Sequence, residues 1–328
     1  MTIERVKSAV IAACDTRAAR LLARALQLTA LVIICYFLAL KVSDIGWQEI
    51  AGSLPTTPWF YIFFLGIYFA YPVAEWLVYG HLWGDAARKR FDVFLRMRIY
   101  NLAFVSYSGE AYIGLWAARR VKQRKRRTAA TIKDSQILSA LSSNSLTIIL
   151  LTLLFASGQL RLFTNADPSY ALYAAIAIGL SALLIPVVIS FRHRLLSIDG
   201  PSAKRVFIIH LCRLIVIVGL QIASWAVVMP QVPMTIWLVF LTGQYVLTRI
   251  PFLPNTDLLI AGLGLTLLSY VDAPAATLAG MFVASGALAQ VLNLGIFSGL
   301  SLRDMFHRRP QVAAQPLEQA SKGTSASK

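Results

Sequence analysis

Apolar residues run through this chain in blocks long enough to cross a membrane, and the blocks are not all alike. Continuous stretches predict helices at about 25–43, 58–80, 135–157, 170–190, 206–229 and 274–300. Each approaches the ~20 residues needed to span ~30 Å of hydrocarbon. Two further apolar stretches break in the middle. The first, about 91–118, contains "NLAFVSYSGEAYIGLWAARR" and breaks at Ser106-Tyr107-Ser108-Gly109, with a carboxylate just beyond at Glu110. The second, about 235–270, breaks at "RIPFLPNTD", where Pro251 and Pro254 stop regular helix hydrogen bonding. Its flanking pieces of roughly 15 residues are marginal for a full crossing.

The order of blocks repeats. The first half, about 25–157, reads helix, helix, broken hairpin, helix, and the second, about 170–300, reads the same. Both broken stretches open with Phe-Leu, at Phe94 and Phe240, and both place an acid after the break, Glu110 and Asp257. Three full crossings per half put the second half on the opposite side. The expected fold is therefore an all-α polytopic membrane protein, with six crossings and two re-entrant hairpins in an inverted repeat; eight full crossings is the alternative. Such repeats build substrate sites near the midplane at discontinuous helices.

Composition and charge fit this frame. The 328 residues are 57% hydrophobic and 14% charged, against about a quarter charged in soluble domains. The formal net charge of +16 would suit nucleic acid, but its placement points to topology. Of the 31 lysines and arginines, 27 fall in residues 1–24, 85–98, 118–133, 191–206 and the C-terminal tail, while the opposing loops hold only Arg161. The positive-inside rule then puts both termini in the cytoplasm, as for a bacterial-type plasma (inner) membrane protein. Residues 1–24 read as a basic cytoplasmic segment, 25–300 as the membrane domain and 301–328 as a disordered tail. The run at 119–127 also suits anionic lipid head groups. The three cysteines and four histidines show no disulfide or metal-ligand spacing, and no cofactor is expected.

Ionisable residues inside apolar blocks are the candidate chemistry, because burying them is costly without a role. These are Glu75, Glu110, Arg213 and Arg249, with Asp257 beyond the second break. Asn101, Ser108 and Asn255 are placed to satisfy backbone groups freed at the breaks or to touch a ligand. An arginine fork suits phosphate. Capping of the returning half-helices is the structural alternative for Glu110 and Asp257.

With these residues in view, the layout resembles the transmembrane region of lysylphosphatidylglycerol synthases, the flippase-like domain that also occurs as stand-alone membrane proteins. The resemblance spans about residues 20–305. It rests on Asn101, on Gly109-Glu110 and on the proline- and glycine-rich "IPFLPNTDLLIAGLGL". The chain departs from the pattern in having Tyr107-Ser108 where a proline is common, and Gln290 and Asn293 where the last helix often carries an arginine. The resemblance implies movement of an anionic phospholipid or polyprenyl-phosphate-type lipid between leaflets, without lysyl transfer. Two other readings stay open. One is an integral-membrane head-group transferase with Glu110 or Asp257 as base. The other is a non-catalytic scaffold contacting enzymes of a lipid or envelope-glycan pathway.

Overall fold

The computed structural model describes residues 52, 54–103, 107–121, 123–159, 169–250, 256–271 and 275–307. The expected helix at 25–43, the basic segment 1–24 and Asn255 lie outside the described residues. The main helices are α1 (Pro58–Trp83), α2 (Phe91–Ala103), α3 (Ser108–Arg120), α4 (Lys125–Ala156), α5 (Ser169–Ser190), α6 (Gly200–Val228), α7 (Met234–Leu247), α8 (Thr256–Ser269) and α9 (Ala275–His307). Single helical turns at Asp85–Arg88 and Arg192–Leu195 join two of them. No strand occurs among the described residues.

Among the described residues, four helices are long and apolar enough to cross a bilayer: α1, α4, α6 and the Thr277–Asp304 portion of α9. The chain is thus a helical membrane protein. Its exterior agrees. Trp59, Ile62, Leu65, Val73 and Leu77 line the outward stripe of α1, while Glu75, Asp134, Ser135 and His210 are buried inside. Apolar outside and polar inside is the arrangement lipid demands.

Helix α6 packs against α1 and α4. Helices α1 and α6 run antiparallel: Gly66 meets Leu220, Glu75 meets Arg213, and His81 meets Ser202. One end of the bundle gathers Trp83, Ala87, Val93, Ala117 and Val121 in a single apolar cluster. The other end gathers Phe60, Leu154, Met229, Ile236 and Leu268 around the mutually tilted rings of Trp225, Trp237 and Phe240.

Between the long helices lie two short hairpins. Helices α2 and α3, with 13 residues each, begin and end at the first end. Helices α7 and α8, with 14 residues each, begin and end at the other. At about 1.5 Å per residue each leg reaches about 20 Å, short of ~30 Å of hydrocarbon.

The largest boundary differences from expectation are at α4 and α9. Helix α4 starts at Lys125 rather than near 135, because the basic residues Lys125, Arg126 and Arg127 are exposed and cost a helix nothing. Helix α9 continues to His307, so the tail does not begin at Ser301. Charge pairing holds this extension: Arg303 reaches Asp92 at 2.8 Å, and Arg96 reaches Asp304 at 2.7 Å and the Leu300 carbonyl at 2.9 Å. These pairs are partly exposed, so Asp304→Asn should lower stability by no more than about 1 kcal/mol. A double-mutant cycle with Arg96→Gln, read by thermal unfolding, should return a coupling of that size.

The turn into α6 is pinned at two points. Buried Asp134 accepts hydrogen bonds from the Ser197 and Ile198 amides at 2.6 and 3.0 Å. Asp199 caps α6 by accepting from the Ser202 amide at 3.0 Å, which holds its carboxyl below the ordinary range. That contribution is present above the unfolded-state value and fades as the pH falls through the folded one.

Candidate functional site

The two hairpins bring their inner ends toward the middle of α1 and α6, and polar side chains collect there. Glu75 and Arg213 form a 3.3 Å ion pair, with side chains only 1% and 8% exposed. Arg213 also donates to the Ser139 hydroxyl at 3.2 Å and lies over the Tyr71 ring, 5.2 Å from its centroid. Both ends of the pair sit in mid-helix, too deep for a loop arginine to serve Glu75 or for Arg213 to reach an end.

Glu110 stands in the first turn of α3 without capping it. Its Oε1 accepts from Gln136 Nε2 at 3.0 Å and from the Tyr71 hydroxyl at 3.4 Å, side chains of α4 and α1. Its Oε2 is buried with no hydrogen-bond partner. The cap comes instead from Asn101 on α2, whose Oδ1 accepts from the Gly109 amide at 2.7 Å. The Asn101 amide nitrogen reaches the Tyr71 hydroxyl at 3.5 Å. Ser108 donates to the Tyr100 carbonyl at 2.6 Å. Asn101 and Ser108 therefore close the first hairpin, with Tyr107 in the left-handed region at φ 72°. Gly109 permits the closure: a Cβ there would land on the Met97 carbonyl oxygen and 2.8 Å from Asn101 Oδ1.

From the other hairpin comes Arg249, just past the end of α7. Its Nε is buried without a hydrogen-bond partner. Tyr245 lies one turn earlier on α7, within reach of the charges of both Arg249 and Arg213. Asp257 falls in the first turn of α8, and its side chain lies outside what is described.

The structure adds residues that the pattern of blocks did not single out. Arg98 belongs by position to the basic run 85–98, yet it sits one turn before Asn101 on α2. Its guanidinium stacks on Tyr68, 4.4 Å from the ring centroid, with Tyr71 at 6.0 Å. Tyr68 donates to Asn293 Oδ1 of α9 at 2.7 Å. Gln136 and Ser139 share a face of α4, three residues apart, as Arg98 and Asn101 do on α2; that spacing was the available signal. Nearby, Ser135 and His210 lie 3.2 Å apart, both fully buried.

Among the described side chains, Arg98 and Arg213 thus stand around Tyr71 with two carboxylates, Glu75 and Glu110, and Arg249 lies beside Tyr245. Arg98 and Arg249 have no carboxylate partner among the described residues. Such a site favours an added anion with oxygens able to take paired N–H donors. Among the described residues no group of three or more His, Cys, Asp or Glu gathers as a metal site.

Fold and site together define an all-helical integral membrane protein with a buried, cation-rich polar centre. Comparison with protein-family models, curated proteins and solved structures finds no match to the chain.

Proposed function

We propose that this protein moves an anionic lipid, a phospholipid or a polyprenyl-phosphate-type lipid, between membrane leaflets, as the resemblance to the flippase-like domain implies. One observation supports the reading: between the long helices lie two short hairpins, and beside the first of them Arg98 and the Glu75–Arg213 pair gather around Tyr68 and Tyr71 inside the bundle. In this reading the hairpins are re-entrant, the halves are an inverted repeat with six crossings, and the basic end faces the cytoplasm of a plasma membrane. The head group binds between Glu110, Arg213 and Arg249, with Glu75 holding Arg213 when the site is empty. The acyl or prenyl chains stay in lipid. Each hairpin in turn closes access from its own side.

The test is translocation of a fluorescent short-chain phosphatidylglycerol in liposomes carrying the purified protein, read by quenching from outside. Wild type should move the probe faster than protein-free liposomes. Glu110→Gln and Arg249→Gln should each slow it about tenfold or more, the scale of one lost charge-assisted hydrogen bond. Equal rates in wild type and empty liposomes, across phosphatidylglycerol, phosphatidate and polyprenyl-phosphate probes, would end the transporter reading.

A further inference from the structure

Arg98 is the half-buried cation whose surroundings leave the most unexplained. It projects from α2 between the aromatic faces of Tyr68 and Tyr71. Its Nε is shielded from solvent and has no hydrogen-bond partner. Neither nearby carboxylate bonds Arg98: Glu75 pairs with Arg213 and Glu110 accepts from Tyr71 and Gln136, each through Oε1, with Oε2 left without a partner. A second guanidinium, that of Arg213, lies on the same Tyr71 ring, close enough to repel Arg98. Stacking on aromatic faces offsets only part of the cost of burying a guanidinium. Two guanidiniums and two carboxylates meet around the Tyr71 ring, but neither carboxylate is bonded to Arg98, whose Nε–H is left open to a bound anion.

We infer that Arg98, seated on Tyr68 and Tyr71 and backed by Arg213, is the binding seat for a phosphate group. The position also suggests how the group arrives. Tyr68 is tied to Asn293, and α2 meets α9 through Tyr100 against Phe297 and then through the charged pairs at the basic end. Arg98 therefore lies just inside the α2–α9 seam, a sideways path from the bilayer. The shared chemistry is a phosphate monoester or diester. Its source as a lipid rests on the transporter reading; the seat itself does not.

Binding in detergent separates the two. The probes are dioctanoyl phosphatidate, dioctanoyl phosphatidylcholine and inorganic phosphate, titrated against full-length wild type, Arg98→Gln, Arg98→Lys and Tyr68→Phe. The readouts are intrinsic fluorescence and thermal shift. Wild type should bind phosphatidate about tenfold or more tightly than Arg98→Gln does, with Arg98→Lys between, because lysine keeps the charge and loses the paired donors. Tyr68→Phe keeps the aromatic seat, so it should bind within about twofold of wild type while losing the Asn293 bond. Phosphatidate binding well above inorganic phosphate gives a lipid ligand; equal binding of the two gives the free anion, with the seat intact. Equal affinity of wild type and Arg98→Gln, with both melting normally when unliganded, would overturn the seat. So would phosphatidylcholine and phosphatidate binding to Arg98→Lys as tightly as to wild type. A protein that binds phosphatidate through Arg98 yet moves no lipid would retain the seat and lose the transporter.

Discussion

Glu75→Leu should destabilise the protein by about 3–5 kcal/mol, among the largest single effects available in this chain. The change leaves Arg213 buried, with only Ser139 and the Tyr71 face to compensate it. Arg213→Leu should cost a comparable amount, through the stranded carboxylate. The double variant Glu75→Leu/Arg213→Leu should recover most of the loss, since similar-sized apolar side chains replace buried ion pairs with little or no penalty. Thermal unfolding of the three variants in detergent checks this. Additive losses in the double variant would show that the two residues do not depend on each other. Lipid movement should stay low in the double variant even where its stability returns, because the pair supplies Arg213 to the head group in the proposed mechanism.

The second large effect is at Gly109. Gly109→Ala places a methyl group on the backbone oxygen of Met97, which cannot rotate away as a side-chain tip would. Helices α2 and α3 must separate, losing the Asn101 cap and the Ser108 bond together. The expected loss is about 3 kcal/mol or somewhat more, at the upper end for overpacking. Gly114→Ala, on the same helix, is the internal control: its new Cβ would meet only Ile132 Cδ1, at an ordinary 3.5 Å. There the gain in helix propensity, up to about 1 kcal/mol, should leave the protein as stable or more so. Trp83 and Trp116, which lie beside the hairpin with ring centroids 6.3 Å apart, would report the separation as a fluorescence change in Gly109→Ala alone.

How much of this was legible in the sequence depends on the range of the interaction. The long helices were readable because lipid imposes length and apolarity on each one separately. Both breaks were readable because proline, glycine and serine act on their own neighbours. The placing of Glu75, Glu110 and Arg213 inside the bundle followed from the cost of burying charge. The pairing of Glu75 with Arg213 was not readable, since it depends on the register of α1 against α6. Glu110 allowed two readings, cap or site, and only the position of Asn101 across the hairpin decides that the cap lies elsewhere. Arg98 was hidden by its place in a basic run: counted as a loop charge, it is turned inward by the α2 helix, one turn before Asn101. Helix α9 outran its apolar block because Asp92 and Arg96, distant in sequence, hold its charged end.

The central claim is that the two hairpins enter from opposite faces and stop inside the membrane. Single cysteines at the tips, in a background without native cysteines, test it most directly. Tyr107→Cys and Asn255→Cys would be exposed to a membrane-impermeant maleimide from each side of sealed vesicles, beside Arg88→Cys and Ser157→Cys as markers for the two ends. The account predicts that Arg88→Cys labels only from the cytoplasmic side and Ser157→Cys only from the opposite side. Asn255→Cys should not label from the cytoplasmic side, nor Tyr107→Cys from the opposite side. Asn255→Cys labelling as readily as Arg88→Cys, from the same side, would make α7 and α8 full crossings. It would move Arg249 out of the site and contradict the account.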